Sequence, residues 1–160
     1  MVEQKTNAMR ILDSYSVEYA VEYYECKEFV NSLDIPEKIG AEKYEVFKSL
    51  FAQGKSERYY VFVLPGCMEL DMKKAAKSVG EKSVALVPVK EINRLTGYVR
   101  GGCSPLGIKR QCGIVIHDSC VNLKTMYVSG GKIGCCISLA PSDLIRACNA
   151  IVADIVLNQT

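Results

Sequence analysis

Six consecutive apolar residues, at positions 59–64, place the strongest constraint on what this chain can fold into. The run YYVFVL is apolar at both odd and even positions, so a strand built from it has two apolar faces. Such a strand is stable in the interior of a sheet that is covered on both sides. A second β-like run, at residues 46–51, precedes it across the turn-forming residues 53–56, and the two runs predict a hairpin.

Further helices and strands are predicted on either side of this hairpin. Residues 71–79 carry apolar side chains at helical spacing and stop at Gly80, a residue favoured just past a helix end. Other predicted helices lie at residues 6–14, 89–95 and 141–148, and a short helix with turns at 35–40. Predicted strands lie at residues 17–24, 84–87, 114–116, 125–129 and 133–139. The fold class is therefore α+β: a mixed, largely antiparallel sheet surrounded by helices in a single domain, residues 1–160.

Length, charge and cysteine content limit the possible partners. The chain of 160 residues has the usual size of one domain, and its formal net charge of +2 predicts only local contact with nucleic acid. We find neither the roughly 18 apolar residues of a membrane span nor a signal peptide, which predicts a cytoplasmic protein with no membrane contact. The eight cysteines are then expected to be reduced thiols.

Several common catalytic and metal-binding motifs are absent from the sequence. There is no C-x-x-C pair and His117 is the one histidine, so we expect no metal and no cofactor. His117 itself is expected to be an ordinary strand-end residue. Leu106 replaces the last glycine of a G-x-S-x-G elbow, and Met126 replaces the first glycine of a phosphate-binding G-x-x-x-x-G-K loop.

One feature that remains is a lysine within an apolar strand. Val46, Lys48 and Leu50 share one face of the predicted strand, so the Lys48 ammonium is expected to be partly desolvated and able to hold a phosphate or a ribose. The alternatives are a lysine that extends to solvent and a charge that protects a sheet edge from aggregation. The pattern alone favours these alternatives.

The other feature is a loop, residues 97–107, that contains Gly97, Gly101, Gly102 and Gly107. Glycine lets the backbone come close to a ligand and point N–H groups at developing negative charge, as ester hydrolysis without a metal requires. A surface loop rich in turn residues is the simpler alternative. Asp143, in the first turn of the last predicted helix, is equally ambiguous because the helix dipole stabilises a carboxylate there.

The sequence of this loop resembles a known family. Residues 95–107, LTGYVRGGCSPLG, are closely similar to the signature loop of the YbaK/EbsC family, which is related to the editing domain of bacterial prolyl-tRNA synthetases. The similarity extends over nearly the whole chain, to FKSL at 47–50, LDMKKAAK at 70–77, YVSGGK at 127–132 and APSDL at 140–144. The resemblance implies the fold of that editing domain.

The resemblance also implies a function, namely trans-editing hydrolysis of mischarged tRNA, typically Cys-tRNA(Pro). Lys48 resembles the family's essential lysine, and Gly101 and Gly102 resemble the loop that binds the ester carbonyl. The substrate-binding residues that it implies are Tyr24, Ser49, Ser104 and Asp143. The implied partners are the 3′-aminoacyl-adenosine end of tRNA and a prolyl-tRNA synthetase. Residues 31–38 depart from the alanine-rich helix of relatives, which bears on the pocket rim and on substrate choice.

The expected mechanism follows from the missing Cys/His and Ser/His pairs. The attacking group is expected to come from the substrate or from water, while loop N–H groups stabilise the oxyanion. The resemblance to the YbaK/EbsC family implies that this group is the substrate's own cysteine thiol. One alternative is a binding module of the same fold that recognises aminoacyl-tRNA or a synthetase without hydrolysis. Another is a thiol redox protein, suggested by Cys135 and Cys136, although adjacent cysteines are strained as a disulfide.

Overall fold

The architecture is that of two sheets joined at one strand. A computed structural model describes residues 4–25 and 33–158, and the elements named below lie in those ranges. The larger sheet has five strands in the order β4-β2-β3-β5-β8. Their bounds are β2 Phe47–Gly54, β3 Tyr59–Pro65, β4 Val84–Leu86, β5 Gly113–His117 and β8 Ile151–Ala153.

The central position of β3 confirms the expectation from its apolar run. Val61 and Val63 face one core cluster, while Phe62 and Leu64 face a second cluster that includes Ala75 and Ala76. All four of the β3 side chains are fully buried. β2 and β3 form the predicted antiparallel hairpin, whereas β5 runs parallel to β3 and β8 runs parallel to β5.

The smaller sheet is a three-stranded antiparallel arrangement. It comprises β1 (Ala20–Tyr23), β7 (Cys135–Leu139) and β6 (Met126–Ser129), in that order. The β6–β7 hairpin is closed at Gly130, whose N–H donates to the carbonyl of Cys135 at 2.8 Å. A single parallel bridge between Val46 and Tyr127 connects this sheet to the start of β2. The two sheets therefore continue into one another at the strand that carries Lys48.

Helices cover the sheets much as the sequence predicts. They are α1 (Asn7–Ser14), α2 (Ile35–Ile39), α3 (Met72–Ser78), α4 (Val89–Thr96) and α5 (Pro141–Cys148). Thr6 and Asp71 cap the first and third of these helices through their side-chain oxygens. None of the helices within the described ranges has the length and apolar character needed to cross a membrane.

One strand, β8, was not predicted. Its three residues include exposed Ile151 and Val152, so the run lacks the buried, alternating pattern by which a strand is recognised from sequence. It is held by parallel pairing to β5 after α5 has brought the chain back to the sheet. Such a pairing depends on tertiary structure rather than on local propensity.

The glycine-rich loop between α4 and β5 is held in place by packing and by backbone hydrogen bonds. The Tyr98 hydroxyl donates to the carbonyl of Leu106, and the amide of Lys109 donates to the carbonyl of Thr96 at 3.1 Å. Gly102 lies against another loop, since a Cβ at this position would be 2.8 Å from Cα of Lys132. Only glycine therefore permits the two loops to approach this closely.

Replacing Gly102 with alanine tests this packing. Gly102→Ala is expected to lower the free energy of unfolding by about 1–3 kcal/mol, because the added methyl group meets backbone rather than a flexible side chain. Val99→Ala, at an exposed neighbouring position, is the control and should change it by less than about 0.5 kcal/mol. Equilibrium urea unfolding measures both, and equal small effects would show that the loops are not in close contact.

Candidate functional site

A cavity of about 400 Å³ opens where the two sheets meet. It is bounded by the first half of β2, by α2 and α4, by the glycine-rich loop and by one face of the smaller sheet. The polar or glycine residues on its wall are Tyr24, Lys48, Ser49, Arg100, Gly101, Cys103, Ser129 and Cys136. Its apolar wall is formed by Ile35, Val46, Phe47, Leu50, Phe51, Leu86, Val87, Val89 and Ile92. The volume lies within the range of small-molecule sites, about 300–1,000 Å³.

Lys48 is the partly buried one of the two cations on the cavity wall, since Arg100 is exposed. Its side chain is partly buried, and its Nζ donates to the carbonyl of Gly66 at 3.2 Å. Burial lowers the pKa of Lys48 from its ordinary value, an effect that nearby Cys67 and Glu69 oppose. An ammonium has three donors, so Lys48 can hold a ligand anion while it remains bonded to Gly66. A negatively charged ligand would stabilise the Lys48 ammonium, because it would replace the interactions with water that burial removes.

Ser49 has a buried hydroxyl without a protein partner. Ser49 is one of the residues that line the cavity, and its buried Oγ makes no hydrogen bond within the described part of the chain. A buried polar group left without a partner costs about 1–3 kcal/mol, so such groups in native proteins call for an explanation. A ligand with a hydroxyl, an ester oxygen or an amine would supply the missing bond.

The glycine-rich loop contributes its first glycine to the cavity. Gly101 has a φ of +85°, a left-handed conformation that side-chain-bearing residues rarely adopt. Its N–H makes no backbone hydrogen bond within the described residues, whereas the N–H of Gly102 donates to the carbonyl of Val99 at 2.9 Å. The Gly101 amide therefore has free donor capacity, and Gly101 lines the same cavity as Lys48.

The structure brings four of the seven residues from the sequence analysis to the cavity. Tyr24, Lys48, Ser49 and Gly101 line it, and the Tyr24 amide is fixed by a 2.9 Å bond to the carbonyl of Gly134. Gly102, Ser104 and Asp143 do not line it.

The three residues outside the cavity have structural surroundings of their own. Gly102 packs against the loop that contains Lys132, as described above. Ser104 is fully buried, and its Oγ accepts a hydrogen bond from the amide of Leu106 at 3.1 Å. Asp143 pairs with Arg146 one turn further along α5, at 3.4 Å. The role of Asp143 in substrate binding therefore stays a prediction, and in the structure its carboxylate lies beside Arg146 of the same helix.

Three polar wall residues were not among the site residues expected from the sequence. Arg100 stands next to the glycines of the loop, Ser129 ends β6, and Cys136 lies in the central strand β7. The alternation of side chains along β7 indicates that Cys135 and Cys136 face opposite sides of the sheet. The side of the smaller sheet that faces the cavity is determined by how this sheet joins β2, and no local sequence pattern predicts that junction.

The cavity thiols are poorly suited to act as nucleophiles. Burial raises the pKa of Cys103 to about 11, and burial together with nearby Cys135 and Glu22 raises that of Cys136 to about 12. Both thiols are therefore protonated at neutral pH. His117 does not line the cavity, and its Nδ1 accepts a 3.4 Å hydrogen bond from the amide of Ile155. Among the described residues, the wall thus lacks a pair of an activated thiol and a base.

Metal-binding and redox chemistry receive no support from the arrangement of side chains. No group of three or more His, Cys, Asp or Glu side chains in residues 4–25 and 33–158 is placed to hold a metal ion. The seven cysteines in those ranges form no disulfide. Cys26 lies outside the described residues.

The raised pKa of the cavity thiols predicts how they react with an alkylating agent. Because the thiolate is the reactive form and only the thiol is populated below the pKa, the rate for Cys103 should rise about tenfold per pH unit from pH 7 to pH 10. Iodoacetamide labelling followed by mass spectrometry of the peptide measures this rate. Free cysteine, with a pKa of about 8.5, is the reference and should level off first. A plateau for Cys103 below about pH 9 would contradict the assigned environment.

Comparison with known proteins gives one family and one architecture. Residues 27–147 match the aminoacyl-tRNA editing domain family. The chain is 36% identical over 158 residues to EbsC of Enterococcus faecalis, which is named as a candidate Cys-tRNA(Pro)/Cys-tRNA(Cys) deacylase, and the match covers 98% of this chain and 96% of that protein.

Two solved structures share the fold. A candidate trans-editing enzyme for prolyl-tRNA synthetase superposes with a TM-score of 0.81 at 22% identity, covering 94% of this chain and 93% of the other. The protein APE2540, whose function is not assigned, superposes with a TM-score of 0.85 at 21% identity, covering 95% of this chain and 100% of the other. These matches confirm the predicted α+β fold.

Proposed function

The chain belongs to the aminoacyl-tRNA editing domain family, and on that basis we propose that it is a trans-editing deacylase that hydrolyses mischarged tRNA, with Cys-tRNA(Pro) as its substrate. The observation that carries the proposal is the cavity in which Lys48, the unpartnered Ser49 hydroxyl and the unbonded Gly101 amide lie together. The name given to EbsC, a relative that matches along nearly its full length, supports the choice of substrate. Such an enzyme acts where tRNA is charged, which places the proposed activity in the cytoplasm.

In this proposal the cavity receives the 3′-terminal adenosine and its aminoacyl ester. The Lys48 ammonium binds a phosphate or a ribose oxygen of the adenosine, since it is the partly desolvated cation on the wall. Tyr24 and the Ser49 hydroxyl supply further hydrogen bonds to the nucleotide or the ester. Positioning of this kind lowers the barrier by replacing a bimolecular encounter with a fixed geometry.

The Gly101 amide is the proposed donor to the oxyanion. An amide held by the backbone needs no reorganisation when charge develops on the carbonyl oxygen, and a water-poor cavity strengthens the interaction. Gly102 supports it indirectly, because its own amide is bonded to Val99 and its missing side chain lets the loop pack closely. This division of roles replaces the expectation that both glycines contact the ester.

The attacking group in this proposal is the substrate's own thiol, because Cys103 and Cys136 are protonated and no base in residues 4–25 and 33–158 is paired with them. The sulfur of the cysteinyl group bonds to the carbonyl carbon, the bond to the ribose oxygen breaks, and the thiol proton passes to that oxygen. Water then opens the resulting cyclic thioester to give free cysteine. The small net charge allows few phosphate contacts, so we propose that a prolyl-tRNA synthetase supplies tRNA selection.

Substitution of Lys48 tests the proposed site. Lys48→Ala is expected to reduce single-turnover hydrolysis of Cys-tRNA(Pro) by about 100-fold or more, because the ester loses its anchor. Lys48→Arg should also lose most activity, since a planar guanidinium does not reproduce a compact charge in a confined cavity. Lys55→Ala, which removes an exposed lysine from the turn of the same hairpin, is the matched control. A folded Lys48→Ala protein within about threefold of the wild-type rate would show that Lys48 is a surface lysine without a catalytic role.

Substitution of Cys103 tests the source of the nucleophile. Cys103→Ser is expected to keep hydrolysis within about threefold of the wild-type rate, because a protonated thiol without a base does not attack the ester. The single-turnover assay is the same, with a thermal melt to verify folding. A loss of about a thousandfold with tRNA binding intact would instead identify Cys103 as the nucleophile.

A further inference from the structure

A row of side chains crosses four strands along the face of the smaller sheet that lines the cavity. Glu22 on β1 pairs with Cys136 on β7, and Cys136 pairs with Ser129 on β6. Val46 forms a parallel bridge with Tyr127. Lys48 lies two residues after Val46, and Ser129 lies two residues after Tyr127, so both are on the same face as the bridge. The sequence across the strands is therefore Lys48, Ser129, Cys136, Glu22, and the first three line the cavity.

The row has opposite charges at its two ends. The Lys48 ammonium stands at one end and the Glu22 carboxylate at the other, with a hydroxyl and a protonated thiol between them. The wall as described contains two cations, Lys48 and Arg100, and no carboxylate. An aminoacyl ester at neutral pH also carries a positive α-ammonium group, and that group needs an acidic partner.

Glu22 is placed to be that partner. Directly opposed residues of an antiparallel pair have Cβ atoms about 4.5–5.5 Å apart, so Glu22 lies immediately beside the Cys136 wall. Its side chain is exposed and makes no hydrogen bond or ion pair with any other residue in the described ranges. Burial and the charges of Glu45 and Glu22 raise the pKa of Tyr127, which lies on the same face of the sheet, so Glu22 is close to that side chain as well.

Two other acids lie near the cavity and fit this role less well. The Glu45 Oε1 already accepts a hydrogen bond from the amide of Glu42 at 2.9 Å, within a capping box. Glu69 lies close to Lys48, at the opposite end of the row from Glu22. An ammonium bound there would compete with the cation proposed to anchor the nucleotide.

We propose that Glu22 binds the α-ammonium of the aminoacyl group and thereby determines that the site acts on free aminoacyl esters. The inference rests on the proposed function and deepens it. The nucleotide end of the substrate lies towards Lys48, the acyl end towards Cys136 and Glu22, and the ester between them. Adjacent strands are about 4.8 Å apart, so the row from β2 to β1 spans roughly 14 Å before the long side chains at its ends reach inward.

The experiment compares two esters that differ only in the charged group. The substrates are Cys-tRNA(Pro) and the corresponding 3-mercaptolactyl-tRNA(Pro), in which a hydroxyl replaces the α-amine while the thiol and the ester remain. Hydrolysis is followed at about pH 6.5, below the α-amino pKa of about 7.7–8.0, so that the amine is protonated. The proteins are wild type, Glu22→Gln, which removes the charge at constant shape, and the control Glu18→Gln, an exposed acid that precedes β1.

The inference predicts that Glu22→Gln lowers kcat/KM for Cys-tRNA(Pro) about fivefold or more and leaves the hydroxy ester within about twofold. Glu18→Gln should change neither. An equal loss on both esters would show that Glu22 acts only through folding, and no loss on either would show that it does not contact the amine; both results overturn the inference. Wild-type protein that hydrolyses neither ester would instead overturn the proposed function, and the inference with it.

Discussion

Two-sided burial of β3 is the constraint on which the rest of the structure depends. Val61 and Val63 of β3 pack into one core cluster, and Phe62 and Leu64 pack into the other. Because β3 is enclosed, its hairpin partner β2 is fixed in register along its full length, from the pair Phe47 and Pro65 to the pair Gln53 and Tyr59. Lys48 is thereby held at the point where the two sheets meet rather than at a free edge. A charge in that position is partly desolvated by the fold itself.

The electrostatics of the cavity favour binding and positioning over chemistry by an enzyme side chain. The buried thiols remain protonated, and the one histidine of the chain is bonded to the backbone away from the cavity. What remains on the wall includes the Lys48 ammonium, Ser49 with its unpartnered hydroxyl and the Gly101 backbone, around a cavity of about 400 Å³. Such groups stabilise negative charge and hold an ester, and they leave the attacking group to the substrate or to water.

Some of the fold could be predicted from sequence because its signals are local. The YYVFVL run, the helix that ends before Gly80 and the β6–β7 hairpin all appear as predicted, since apolar pattern and turn residues determine them. A lysine in an apolar strand and a loop rich in glycine are noticeable in the sequence, but the pattern alone favours simpler explanations for both. The prediction that Lys48 and Gly101 belong to the site rests on the resemblance to the YbaK/EbsC family. Strand β8 could not be predicted, because its stability comes from pairing with β5.

The remaining features of the site depend on contacts between distant segments. Asp143 occupies a helix start where a carboxylate is stabilised with or without a ligand, and only the structure shows that it pairs with Arg146. Cys136 and Glu22 become neighbours of Lys48 only through the bridge between Val46 and Tyr127, which joins segments about half the chain apart. The alternation of side chains along a strand predicts which face of the sheet each residue occupies. It does not predict which other segment of the chain lies against that face.

The most direct test of the central claim is a single-turnover comparison of wild-type protein on Cys-tRNA(Pro) and Pro-tRNA(Pro). The two substrates share the tRNA and the ester and differ in the aminoacyl side chain. The account predicts hydrolysis of Cys-tRNA(Pro) at least about tenfold faster, because the prolyl group has no thiol to attack the carbonyl and binds less well in the cavity. Binding of both tRNAs without release of either amino acid would contradict the account and identify the chain as a binding module.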